Sequence, residues 1–163
     1  MNQIEAILAT ALVTAILAIW AIITQRVVSR RVATLEYISR SESDKDLIEA
    51  RNKFIELTND DGALLKYADP SKFTDDEAHK IRVALNEREQ LAIAIQFGVL
   101  DSAYIKRYAR GIIIRDFRLA APFIYKIRAN LNNPAIYHEF EELVRSFENN
   151  KMPSRSYWTR LWF

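Results

Sequence analysis

Residues 4–24 read IEAILATALVTAILAIWAIIT, and the rest of the chain has to be understood from this run outward. From Ala6 to Thr24 no residue carries a charge, nineteen positions in all. At about 1.5 Å of rise per residue, a helix of that length reaches across a hydrocarbon core of roughly 30 Å. A secretory signal carries basic residues ahead of its apolar stretch and a small-x-small cleavage site behind it. Here the charged residue upstream is Glu5, and the run closes on Ile22, Ile23, Thr24, Gln25 and Arg26. A retained anchor is therefore expected. Arg26, Arg30 and Arg31 all follow the span, so the positive-inside rule predicts the N-terminus outside and the body of the protein in the cytoplasm.

The apolar residues of the run differ in size according to face. At heptad spacing, Ala11, Thr14, Ala18, Ala21 and Gln25 form a stripe of small and weakly polar side chains, while Leu12, Ile16, Leu17, Ile19, Ile22 and Ile23 fill the other faces. In lipid, helices associate through close backbone approach over small residues, with some help from threonine hydroxyls. The register continues past the span as Val28, Val32 and Leu35, which are apolar where a helix in water needs a seam. An unbroken helix from about Ile4 to Ser39 is predicted, self-associating along its length. The plainer reading is that alanine is common in transmembrane helices whatever their partners.

Composition fits one anchor and one cytosolic domain. The chain has no cysteine, which excludes disulfides and thiolate metal sites. Beyond the span remain about 135 residues, enough to bury a single core, and no linker rich in serine, glycine or proline divides them. The expected divisions are an anchor over 1–25, a juxtamembrane helix over 26–42, a helical domain over 43–150 and an aromatic, basic tail over 151–163. The net charge of +2 hides a segregation. Residues 41–90 hold thirteen acidic against eight basic side chains and residues 91–163 hold six against eleven, so the two halves attract one another.

Strand alternation and tight hairpin turns are missing, and apolar residues recur at three and four, so the fold class is all-α. Ser43 with Asp46 predicts a helix start, with Leu47, Ile48, Phe54, Ile55 and Thr58 on its inner face. Thr74 with Glu77 predicts a second helix, carrying Ile81, Leu85 and Leu91 and stopping at Gly98. Asp101 caps a third, which Pro122 is expected to interrupt or restart. Asn133-Pro134 opens a fourth, with Ile136, Phe140, Leu143, Val144 and Phe147 as its buried stripe. The acidic Asp75, Asp76 and Glu77 fall in a first turn, where they complement the helix macrodipole.

Asn86 and Glu89 lie one turn apart and present together on one helix face. Arg115 or Arg118 from the following helix would satisfy them, as a polar clamp between helices or as a ligand site. The stretch LNEREQLAIAIQFGVLD (85–101), followed by RDFRLAAPFI (115–124) and NPAIYHEFEELV (133–144), resembles a bacterial and phage family of uncharacterised membrane-anchored helical proteins. The resemblance covers roughly residues 45–148. It implies the architecture and a bacterial inner membrane, and no activity comes with it. In layout alone, the chain is also similar to the accessory membrane protein of some RNA-targeting CRISPR systems, which assembles into a ring with a pore.

His79 and His138 stand beside acidic residues on solvated-looking faces, and no phosphate loop, nucleophile elbow or HExxH helix occurs. No catalytic residue, metal, cofactor or small-molecule substrate is expected. Seven basic residues against one acidic lie between Lys106 and Arg128, with Lys106, Arg107, Arg110 and Arg118 as the candidate patch. Such a patch attracts nucleic acid or an anionic surface, or else pairs with acidic groups of the chain or of a neighbour. In the tail, Tyr157, Trp158, Trp162 and Phe163 suit either a headgroup interface or docking on another subunit. The function expected is that of a non-enzymatic membrane homo-oligomer, acting on the bilayer as an effector or accessory factor, with a pore in antiviral defence as its most concrete form. The alternative is an anchored module that holds a cytosolic protein or RNA.

Overall fold

The computed structural model describes residues 2–60 and 62–150. Among them are α1 (Gln3–Ser43), α2 (Lys45–Asn59), α3 (Asp76–Gln96), α4 (Ser102–Leu131) and α5 (His138–Glu148), with two 3-10 turns at Ala63–Ala68 and Pro70–Lys72 and no strand. The all-α expectation holds. α1 is one unbroken helix of 41 residues, about 60 Å long. It is long and apolar enough to cross a membrane, and its most apolar window has none of its surface covered. The same helix then continues past its apolar part to meet the domain.

The meeting point begins at Arg30. Thr34 is fully buried, and its hydroxyl donates to Arg30 O at 2.7 Å and accepts the Asp101 N–H at 2.8 Å. α1 ends at Ser43 because Asp44 leaves the helical region (φ −72°, ψ 112°) and caps α2, its carboxylate accepting the N–H groups of Asp46 and Leu47. The expected Ser43 cap is displaced by one residue: Ser43 still belongs to α1 and donates to Ser39 O at 2.8 Å. α2 buries Ala50, Phe54 and Leu57, whereas Ile48 and Ile55 stay exposed. Its inner face is rotated from the expected one and packs against α3 through Ala50, Phe54 and Leu57.

α3 starts at Asp76, after Asp75, without the Thr74 side-chain cap that was expected. It ends at Gly98 as expected: Gly98 takes φ 69°, Val99 N–H donates to Ala94 O at 2.9 Å and Gly98 N–H to Ile95 O at 3.0 Å. That is a Schellman stop, in which glycine carries the left-handed residue without strain. Asp101 caps α4 through Ala103 and Tyr104 N–H. Pro122 does not interrupt α4, whose 30 residues run through it. It lies on the exposed side, so the Arg118 carbonyl it leaves unbonded can face water, while Phe117, Ala120, Phe123, Ile124 and Ile127 hold the opposite face in the core.

α5 begins at His138, four residues later than Asn133-Pro134 suggested. The Asn133 side chain makes a local turn instead, accepting Ala135 N–H at 3.0 Å. Phe140, Leu143, Val144 and Phe147 are buried as expected, with Phe140 meeting Phe117 edge-on at 5.2 Å between ring centroids. Each such side chain withdrawn from water stabilises the domain by about 1.5–3 kcal/mol before entropy is counted. The core lies between α3, α4 and α5, closed on one side by α2 and on another by the Ala63–Ala68 turn, which Asn130 ties down by donating to Ala68 O at 2.9 Å.

Candidate functional site: a buried ionic network where the long helix meets the domain

The buried stripe of α3 passes through Ile81, Ala84, Leu85, Leu91, Ala92 and Ile95, and Arg88 occupies the position in that phase between Leu85 and Leu91. A guanidinium there has to find acids. Its Nη1 donates to Glu87 Oε2 at 2.9 Å, and its Nε and Nη2 donate to Asp116 Oδ2 at 3.1 and 2.9 Å. Glu87 and Asp116 are themselves only 6% and 5% exposed. Burial opposes the charge of Arg88, but the two carboxylates outweigh it and hold the guanidinium above its ordinary pKa.

The second oxygen of each carboxylate carries the network outward. Asp116 Oδ1 accepts Arg115 Nε and Nη2 at 3.1 and 2.7 Å. Glu87 Oε1 accepts the Tyr37 hydroxyl and, at 3.3 Å, the Ser41 hydroxyl, both from α1. Arg51 of α2 stands 3.6 Å from the same oxygen and donates through Nη2 to Ser41 O at 2.8 Å and to the Ser41 hydroxyl. Burial and the neighbouring Glu87 charge push the Tyr37 phenol far above its ordinary pKa, so it remains a donor. One connected set of charges thus joins α1, α2, α3 and α4. Removing one partner of such a set leaves a buried charge uncompensated, at about 3–5 kcal/mol.

Clefts flank the network on both sides. One, of about 210 Å³, has Phe54, Ile55, Leu85 and Ile112 as walls and Arg51, Arg88 and Arg115 at its edge. The other, of about 480 Å³, opens between α1, α2 and α3, with Tyr37, Asn86 and Glu87 on its lining. Both oxygens of each carboxylate are engaged by arginines or hydroxyls, so the arrangement is suited to fixing helices in place.

The four residues expected to form a polar clamp do not meet one another. Asn86 is exposed at the larger cleft. Glu89 turns to α5, whose N-cap residue Tyr137 supplies no side-chain cap. Its two oxygens accept Glu139 N–H at 3.2 Å and Phe140 N–H at 2.7 Å. Burial raises the Glu89 pKa above the ordinary value, although those two N–H groups pull it down. Arg115 pairs with Asp116, and Arg118 with Glu148 at 2.8 Å. The clamp between α3 and α4 is made instead by Arg88 and Asp116. Its signal in the sequence was an arginine, and in α4 an aspartate beside Ile113 and Phe117, at positions in the core phase.

Most of the basic patch is engaged with α5. Lys106 donates to Asn150 O and Arg110 to Phe147 O, each at 3.1 Å, which satisfies carbonyls at the C-terminal end of α5. Arg128 donates to Glu141 at 2.7 Å and to Ile136 O at 2.8 Å. Arg107 is exposed. His79 and His138 are exposed as well. Tyr157, Trp158, Trp162 and Phe163 lie outside the described residues.

Along α1, Ala11, Thr14 and Ala18 share one exposed face with Gln3, Ala6 and Thr10. Val28, Val32 and Leu35 are 49%, 48% and 52% exposed, while Arg30, Thr34, Tyr37 and Ser41 meet the domain. At about 100° per residue, the two sets lie about 160° apart around the helix axis.

No curated protein and no solved structure matches the chain, so the likeness to the pore-forming CRISPR accessory protein rests on layout alone. A family match does exist, and it takes in most of the apolar part of α1 together with the helical domain. Over residues 8–147 the chain belongs to the family defined by DUF4760, a domain of unknown function.

Proposed function

We propose that the chain is a self-associating single-pass membrane protein, non-enzymatic, with its N-terminus outside and its helical domain on the cytoplasmic face of a bacterial inner membrane. The observation that carries this reading is the split of α1 into two faces. Thr34, Tyr37 and Ser41 are used by the chain's own domain, whereas Val28, Val32 and Leu35 stay uncovered on the other side, in register with the small stripe of Ala11, Thr14, Ala18, Ala21 and Gln25 in the apolar part, where every face of the helix is open. Copies joined along that stripe would carry their domains on the outside of the assembly, clear of one another.

Of the two roles open to such an assembly, the tether fits better than the pore. A conducting path needs polar groups facing water, and the Thr10, Thr14 and Thr24 hydroxyls each donate at 2.9 Å to a carbonyl of their own helix. A cytosolic protein is a better partner for the domain than RNA, because Lys106, Arg110 and Arg118 are already engaged with α5. A role in antiviral defence would then lie in what the domain recruits. The test is the assembly itself. Ala18→Leu with Ala21→Leu blocks close backbone approach, and the detergent-solubilised variant should shift to smaller species by mass measurement and crosslinking. A wild-type monomer, or an unchanged variant, overturns the proposal.

A further inference from the structure

Four contacts fix how the domain stands along α1. Glu87 of α3 meets Tyr37 and Ser41, and Gly98 just past its end lies against Arg30, where a Cβ would come within 3.4 Å of the guanidinium. α3 therefore runs antiparallel to α1, toward the apolar end. In α4, Asp101 meets Thr34 and Tyr108 meets Glu42, so α4 runs the other way. The turn from Phe97 to Leu100 is the end of the domain nearest the span.

Its distance from the span follows from helix geometry. Five residues separate Gln25 from Arg30, about 7.5 Å along the axis, and a typical tilt of about 20° shortens that very little. A headgroup layer is about 5–7 Å thick on each side of the hydrocarbon, so the turn stands at its outer edge, where exposed side chains can reach into it. At this level Phe97 is 52% exposed and Val99 55%, with Ile93 one turn earlier on the same side at 39%. Leu100, by contrast, is buried and holds the turn in place. Arg26, Arg30 and Arg31 line the interval between the span and the turn and suit anionic headgroups, Arg31 also standing 3.8 Å from Asp101. A second copy joined through the stripe would sit on the opposite face of α1.

We propose that Phe97 and Val99, at the tip of the α3–α4 turn, insert into the anionic headgroup layer of the same membrane that α1 crosses. The proposal rests on the reading of α1 as a span. Insertion adds a second attachment to the bilayer and fixes the tilt of the domain against it, so that the faces of α2 and α5 are held at a constant height for a partner.

Because the chain has no cysteine, single substitutions Phe97→Cys, Leu131→Cys and Ile16→Cys can each carry a nitroxide on the full chain, in vesicles of phosphatidylcholine and phosphatidylglycerol. Ile16 lies off the small stripe and is exposed. Leu131 is exposed at the far end of α4, about 45 Å from its start. The expected result is that a water-soluble nickel relaxer reaches position 97 several-fold less than position 131, while oxygen reaches it less than position 16. If position 97 is as water-accessible as position 131 while position 16 lies in hydrocarbon, the turn does not insert, and the span still stands. Water access at position 16 overturns the span and this proposal together. Shielding of position 97 from both reagents, equal in vesicles and in detergent, means that another protein surface covers it and overturns insertion into lipid.

Discussion

Glu89→Ala tests whether α5 is held from outside its own sequence. The substitution removes an acceptor for two N–H groups at the start of α5, at 3.2 and 2.7 Å, and nothing local replaces it, since Tyr137 supplies no side-chain cap. Loss of an N-cap side chain costs about 0.5–2 kcal/mol, and a charge near a helix start adds about 0.3–1 kcal/mol. The desolvation that raises the Glu89 pKa opposes both. A net loss of about 2 kcal/mol is expected, equivalent to roughly 30-fold faster opening. Hydrogen exchange of the 134–148 segment, followed by mass spectrometry in detergent, reads that opening directly. Glu89→Gln keeps one acceptor oxygen and should lose about half as much or less. The pH dependence has a definite sign. A carboxyl whose pKa is raised on folding contributes stability that is complete below its unfolded pKa and is lost as pH rises through the folded one. Wild-type α5 should therefore open more readily as pH climbs through the range above the ordinary glutamate value, and Glu89→Gln should lack that slope. Exchange in Glu89→Ala within about threefold of wild type, under about 0.7 kcal/mol, would refute the reasoning.

Asp116→Ala leaves Nε and Nη2 of Arg88 without their acceptor in the core, with Glu87 as the remaining carboxylate, and should cost about 3–5 kcal/mol in chemical denaturation, whereas Asp116→Asn, which keeps an acceptor, should cost less. Arg110→Glu replaces a donor to Phe147 O with a charge of the wrong sign for a helix C-terminus, and should lower the domain's unfolding free energy by about 1–2 kcal/mol. Arg107→Glu, on the open surface, should change it by less than about 0.5 kcal/mol. Equal effects at 107 and 110 would mean that the basic row acts as a charged surface and has no part in holding α5.

Much of the local structure was legible because its causes are local. The uncharged run of α1, the glycine at 98 that takes the left-handed stop without strain, and the Asp101 cap are each decided within a few residues. Where two local signals competed, neighbours chose between them. Asp44 took the cap from Ser43 because α1 ran one residue further, and Pro122 stayed inside α4 because five buried side chains on the opposite face outweigh one missing hydrogen bond. The aromatic tail was legible as composition only.

What the sequence by itself determined, then, is the set of helices, the long apolar helix with its small-residue stripe, and the absence of thiol chemistry, since each depends on residue type and spacing along one segment. What only the tertiary structure decided is which charges meet. The pairings of Arg88 with Glu87 and Asp116, of Glu89 with the start of α5, and of Lys106 and Arg110 with its end join residues up to 51 positions apart. The late start of α5 follows from the same cause. Its N-terminal amides are satisfied by a carboxylate from another helix, and periodicity within a helix carries no record of which side chain a neighbour will present to its ends.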